Sequence, residues 1–223
     1  MQDELGGDSF TVVGVATDIQ GAAAARPWYE KHGVTFPSLV DSSNALGRVI
    51  GYSAIPNQFY IDELGVFHGN VKRDRLRTLL EQPLQPVPTD LAGRLKAAAP
   101  SGDPRRLRKR ANDSPDHFDT QLAAGKAALH ADRLTDAIAL LSRAAQLRED
   151  SAETWTLLAR AHLAAGDKPA AAGALREALK TDPKNWIIHK QIWAIEHPER
   201  FYEGPVDFRW QREQLRREAR AGG

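Results

Sequence analysis

The chain has 223 residues, 42% of them hydrophobic and 26% charged, enough for one large domain or two small ones. Its 30 Lys and Arg against 29 Asp and Glu leave a formal charge of +1, so no overall field favours nucleic acid or an anionic membrane. The chain has no cysteine, which excludes disulfides, thiolate metal sites and a thiol nucleophile, and no apolar run approaches the ~18 residues of a membrane span.

The opening Met1-Gln2-Asp3-Glu4 has neither the basic nor the apolar region of a signal peptide, so the chain as written reads as cytoplasmic. Phe10-Thr11-Val12-Val13-Gly14-Val15-Ala16 is apolar and rich in β-branched residues, the pattern of a strand buried on both faces. Residues 22–32 have helical composition closed by Gly33, a good C-cap. Pro27 is tolerated only near a first turn, so that helix is expected to start near Arg26 or to kink. Residues 36–41 read as a weak extended segment and 44–50 as a short helix stopped by Gly51. Two β-rich runs over 54–62 and 66–71, with Gly65 between them, read as a hairpin. Residues 73–80 then place Leu76, Leu79 and Leu80 on one helical face. The order is β-α-β-β-α.

The strings Val13-Gly14-Val15-Ala16-Thr17-Asp18, Phe36-Pro37-Ser38-Leu39-Val40-Asp41 and Ile55-Pro56-Asn57-Gln58-Phe59-Tyr60-Ile61-Asp62 resemble the C-terminal two-thirds of a thioredoxin-fold redoxin. The nearest type is the TlpA/ResA-type thiol–disulfide oxidoreductase, and residues 1–86 are taken as this domain. The resemblance implies a cis Ile55–Pro56 bond in a loop beside the active site. It also implies a Cys-x-x-Cys helix and a central strand, and both would precede Met1. Only a thiolate attacks a disulfide, so this chain as written is inactive in that chemistry. The family places the missing strand between the strands matching 10–16 and 58–62. Three arrangements answer the gap: the chain is a piece of a longer reading frame, the two strands close up, or a partner or second copy donates a strand, with self-association through exposed edges. A signal on a missing N-terminal part would make the protein periplasmic.

Residues 87–115 hold four prolines just after Pro86, Ser101-Gly102 and a net charge of +4, and read as a linker with a helical piece over 91–99. Its run Arg105-Arg106-Leu107-Arg108-Lys109-Arg110 suits a solvated face or an acidic partner.

From residue 116 to 223 the test is for a fixed period. A spacing of 34 pairs Gln121 with Trp155, Ala124 with Leu158, Gly125 with Ala159, Ala137 with Ala171, Leu141 with Leu175 and Ala144 with Ala178. This resembles the tetratricopeptide pattern, with repeats at 118–151 and 152–185 and turns near 131–133 and 165–167. The first copy departs at Gln121 and Glu149. Two repeats are fewer than the ~3 usually needed for a stable stack. An apolar helix over 186–195 and a last helix over 206–220 supply a cap, with Trp186, Trp193 and Trp210 as either a sealing core or a ligand pocket. The fold class is therefore α/β plus all-α.

The tetratricopeptide resemblance implies a peptide groove lined by the second, fifth, ninth and twelfth residues of each first helix. These are Asp119, Leu122, Lys126 and Leu129, then Glu153, Thr156, Arg160 and Leu163. Two cations one repeat apart suit a carboxylate, or simply pair with acids on the same face. Seven scattered His form no metal pair, and neither a Gly-rich phosphate loop nor a serine nucleophile elbow occurs, so no metal or cofactor is expected. Three functions remain: a redoxin-type protein with protein-binding repeats, a non-enzymatic adaptor, or a structural remnant with no activity.

Overall fold

The structure, a computed structural model, describes residues 10–61, 67–72, 103–203 and 207–221. The expected helices over 73–80 and 91–99, the Gly65 turn and the opening residues lie outside the described residues. The chain divides into two compact units, one of Met1–Asn44 with Pro100–Gly223 and one of Ala45–Ala99. This grouping cuts across the sequence-derived domain 1–86, because side chains of the helical array bind residues 17–20 directly.

The first unit opens with β1 (Gly14–Ala16), α1 (Ala22–Lys31) and β2 (Ser38–Val40). The two strands pair in parallel, Val15 opposite Leu39. The strand expected over 10–16 narrows to three residues, flanked by bonds from Gly14 N–H to Pro37 O (2.9 Å) and from Asp41 N–H to Ala16 O (2.8 Å). Nor are both faces buried. Val13 and Val15 are 51% and 40% exposed and Leu39 is 57% exposed. The opposite face lies near Phe36 and Tyr29, and a β-carbon at Gly14 would stand 3.0 Å from the Phe36 ring. Helix α1 runs unbroken from Ala22 with Pro27 inside it, rather than starting near Arg26. It ends as the sequence suggested. Gly33 takes a φ of +58°, and the bonds Gly33 N–H to Glu30 O and Val34 N–H to Tyr29 O close a Schellman motif.

The same unit continues as a helical array. Helix α3 (Pro104–Asp113), numbered after α2 (Ala45–Ile50) of the other unit, precedes α4 (Phe118–His130), α5 (Leu134–Leu147), α6 (Ala152–Ala164), α7 (Lys168–Thr181) and α8 (Trp186–Glu196). The short helix α9 (Glu199–Tyr202) and the 14-residue α10 (Phe208–Ala221) follow. Successive helices from α3 to α8 pack on one another. The 34-residue period is visible in the helix ends: α4, α6 and α8 begin at 118, 152 and 186, while α3, α5 and α7 end at 113, 147 and 181. The turns repeat as well, with positive φ at Asp132 and at Gly166. Helix α3 thus stands as the second helix of a preceding half-repeat, and α8 as the first helix of a following one. The residues read as linker and cap bring the two full repeats to the size of a stable stack.

Small residues allow that packing. Ala137, Ala144, Ala171 and Ala178 are fully buried, as are Leu141 and Leu175 between them. Gly125 approaches so closely that an added β-carbon would stand 2.7 Å from Leu141 Cγ. The departure at Gln121 has a physical reason. This residue is 3% exposed, and its amide donates to Ala111 O (2.8 Å) and Ser114 O (3.3 Å), carbonyls that the end of α3 leaves without helical donors. One repeat later Trp155 Nε1 donates to Glu149 O (2.8 Å), so the indole serves the end of α5 in the same way.

Side-chain caps start the later helices. Ser151 accepts from Thr154 N–H, Asp167 from Ala170 N–H, and Asn185 from Ile187 and Ile188 N–H. The tryptophans pack edge to face, Trp193 with Trp186 and with Trp210 at 5.9 Å each, and Trp193 is 2% exposed.

The second unit, within its described residues, holds α2 (Ala45–Ile50) and an antiparallel pair of β3 (Phe59–Ile61) and β4 (Phe67–Asn70). Phe59 stands 5.4 Å from both Tyr52 and Phe67, centroid to centroid. The Ile55–Pro56 peptide is cis.

Candidate functional site

The inner-face residues named from the repeat pattern divide into two groups. Leu122 and Leu129 are buried in the hydrophobic core of the array, with Leu163 packed against it. Of the polar members, Asp119 is exposed and the other four are half-buried. Lys126 Nζ lies 2.8 Å from Glu153 Oε1, an ion pair that ties α4 to α6. The acid is thus the neighbouring repeat's, not Asp119 of the same helix. Thr156 Oγ1 donates to Ala152 O at 2.8 Å. Burial lowers the pKa of the Arg160 guanidinium, while the negative charge of Asp41, just past β2, raises it. The face therefore carries two cations, Lys126 in an ion pair with Glu153 and Arg160 within the electrostatic reach of Asp41.

A second polar cluster sits on α8 and α9. Gln191 Oε1 accepts from Ile19 N–H, and Gln191 Nε2 donates to Thr17 O, both at 2.9 Å. Gln20 Nε2 donates to Tyr202 Oη (2.7 Å) and to Ala194 O (3.3 Å). The Tyr202 hydroxyl in turn donates to Asp18 Oδ2 at 3.0 Å. Ile19 is 5% exposed and belongs to the same buried cluster as Leu158, Ile188 and Ile192. Burial pushes the Asp18 carboxyl above its ordinary range, against the lowering effect of hydrogen bonds from Gln20 N–H and Tyr202. Burial also raises the Tyr202 phenol, reinforced by the Asp18 charge.

Other sequence-derived candidates have local roles. Ile55 and Pro56 lie in the second unit, before β3. In the basic run on α3, Arg108 pairs with Asp136 and Lys109 with Asp113. His189 Nε2 lies 3.0 Å from Pro183 O, and Nδ1 lies 2.7 Å from Glu218 Oε2. Trp193 Nε1 donates to Glu218 Oε1 at 2.5 Å, so this acid joins α10 to the cap. Lys190 is buried beside the rings of Trp186 and Phe208, at 5.7 and 5.8 Å, and burial lowers its pKa.

The sequence reading missed Asp18, Gln20, Asp41, Gln191 and Tyr202. Only Gln191 carried a signal: an amide in the middle of the apolar run 186–195, where a buried polar group requires a partner.

A tetratricopeptide-repeat family model matches residues 128–190, from the end of α4 into the first half of α8. No curated protein matches the chain. The match supports a protein-interaction role for the helical array. No described helix is long and apolar enough to cross a membrane.

Proposed function

We propose that this chain is a protein-interaction adaptor whose helical array takes an acidic peptide on its inner face. Lys126 and Arg160 supply the charge, Thr156 is a further polar residue of the same face, and Leu122, Leu129 and Leu163 back it. The observation that carries the reading is that both cations already stand in the field of carboxylates of the molecule, Lys126 in an ion pair with Glu153 and Arg160 under the influence of Asp41. An incoming carboxylate exchanges one such partner for another. That exchange makes binding selective for acids and modest in strength, because half-exposed ion pairs contribute only about 0–1 kcal/mol.

Titration of an acidic peptide library tests this against the Lys126→Ala/Arg160→Ala chain. Loss of charge-assisted hydrogen bonds is expected to weaken binding by about 1–3 kcal/mol. Unchanged affinity in the double variant removes the inner face as the site.

A specific observation favours a second, redoxin-related reading for residues 10–72. The parallel β1–α1–β2 unit, and separately the antiparallel β3–β4 pair, suit the order that the resemblance implies. Thiol–disulfide exchange needs a thiolate, and these 223 residues contain no cysteine. In this reading the α/β residues are a scaffold beside chemistry carried elsewhere. Reading the gene upstream of Met1 decides the matter: an in-frame Cys-x-x-Cys codon pattern supports it, and an immediate stop codon ends it.

A further inference from the structure

Helix α8 is buried along most of its length and apolar at Ile187, Ile188, Ile192, Trp193 and Ile195, yet Gln191 sits in its middle at 7% exposure. A buried amide needs an acceptor for its N–H and a donor for its oxygen. One short stretch of main chain supplies both, the Thr17 carbonyl and the Ile19 N–H. These are backbone groups, presented where the chain enters the turn that Gly21 N–H closes on Asp18 O at 3.0 Å. Selectivity comes from the neighbours. Ile19 enters the core of the array, Gln20 reaches Ala194 O and Tyr202, and Tyr202 binds the Asp18 carboxylate.

We propose that α8 and α9 form a receptor for a peptide turn carrying an acid, an aliphatic residue and an amide in succession, and that residues 17–20 fill it as an intramolecular ligand. The groups that hold residues 17–20 are Gln191, Ala194 and Tyr202, not Lys126 or Arg160, so this inference is argued apart from the acidic-peptide reading above. The attachment is reversible in design. It rests on one aliphatic anchor and a handful of hydrogen bonds, while Val13, Val15 and Leu39 on the same segment stay largely exposed. Docking also buries the Asp18 carboxylate, whose raised pKa records the water it gives up. A partner segment of the same chemistry meets the same groups and competes with the tethered one, whose advantage is effective concentration alone.

The test uses the full chain and a synthetic peptide of residues 14–23. Ile19→Asp empties the receptor by removing the anchor. Nuclear magnetic resonance of the Gln191 side-chain amide and the Trp193 indole follows the titration. The peptide is expected to saturate the Ile19→Asp chain at a concentration at least ten-fold lower than the wild type. Equal saturation of both chains, or response in neither, overturns the proposal. Should Ile19→Asp unfold the array, Gln191→Ala carries the test by hydrogen exchange. The Ile19 N–H is then expected to exchange at least ten-fold faster, with the intrahelical amides of α8 unchanged. Unaltered exchange at Ile19 overturns the proposal equally.

Discussion

The helical array and the α/β residues before it solve the same problem with unequal resources. In the array, each helix packs on the next one in sequence, and positions 137, 141, 144, 171, 175 and 178 lose all contact with solvent. In the α/β part, strands of three or four residues pair two by two, and Val13, Leu39 and Ile61 remain more than half exposed. Both stretches are rich in aliphatic residues. Their difference is geometric: a helix satisfies its own backbone and needs only a neighbour for its apolar stripe, whereas a strand needs partners at both edges and cover on both faces. Apolar content alone does not bury a residue.

Hydrogen exchange offers the largest contrast. Amides of α5, α6 and α7 are expected to be protected at least about a hundred-fold more than those of β1–β4, since local opening follows contact density. Ile19 should stand out from its surroundings, because its N–H is held by Gln191. Equal protection across both regions would erase the comparison.

Substitution measures the same contrast in energy. Leu141→Ala removes a side chain with no solvent exposure and is expected to cost about 2–5 kcal/mol in chemical denaturation. Leu39→Ala removes one that is 57% exposed and should stay within about 0.5 kcal/mol. A large cost at Leu39 would reveal cover on the β1–β2 face that the described residues do not provide.

A finer probe is Gly125→Ala. Helix propensity alone favours alanine by about 1 kcal/mol. The new β-carbon, however, meets Leu141 Cγ at 2.7 Å and Cδ2 at 2.8 Å, and Leu141 is hemmed in on all sides. Overpacking should win, for a net loss of about 1–3 kcal/mol by thermal denaturation. The loss should shrink when Leu141 is also alanine, because the two positions are coupled.

The smallest expected effect is a pH dependence at the junction of the two regions. Asp18 has a folded-state pKa raised above 3.8, so the folded chain binds its proton more tightly than the unfolded one. Its contribution to stability therefore increases as pH falls from neutral through that raised pKa, and levels off below the ordinary value. Tyr202, the titratable group facing it, stays protonated throughout this range, and Gln20 is neutral. Asp18→Asn removes the buried charge and keeps one oxygen for the Gln20 N–H, while its NH2 turns to the Tyr202 hydroxyl, which then accepts instead of donating. The variant should be at least as stable at pH 7, by no more than about the worth of one hydrogen bond, ~1 kcal/mol. The difference between the two denaturation curves should close on acidification. A constant difference from pH 7 to pH 3 would show that Asp18 does not titrate there.

What was legible in the sequence follows from range. The period of 34, the alanines between paired helices and the Gly33 cap are local signals, and each appears in the structure where its residues lie. Helix α3 hid behind its arginines and prolines, although Pro104 at its first turn and Asp103 as its cap are ordinary start signals. Gln121 looked like a fault in the repeat until the carbonyls of Ala111 and Ser114 were in place. The bonds from Gln191 to Thr17 and Ile19 join positions more than 170 residues apart, and no periodicity encodes them. The same holds for the influence of Asp41 on Arg160.

The half-repeat phase of the array has a consequence for its length. The helices from α3 to α8 keep one 34-residue rhythm, so residues 148–181 form a unit whose two ends are interchangeable joints. Copying that unit after Thr181 would present α8 with the same surface it meets now, and α3 with the same neighbour. The stack is thus extensible from within, like a ruler lengthened by splicing in centimetres while its two end-pieces stay as they were.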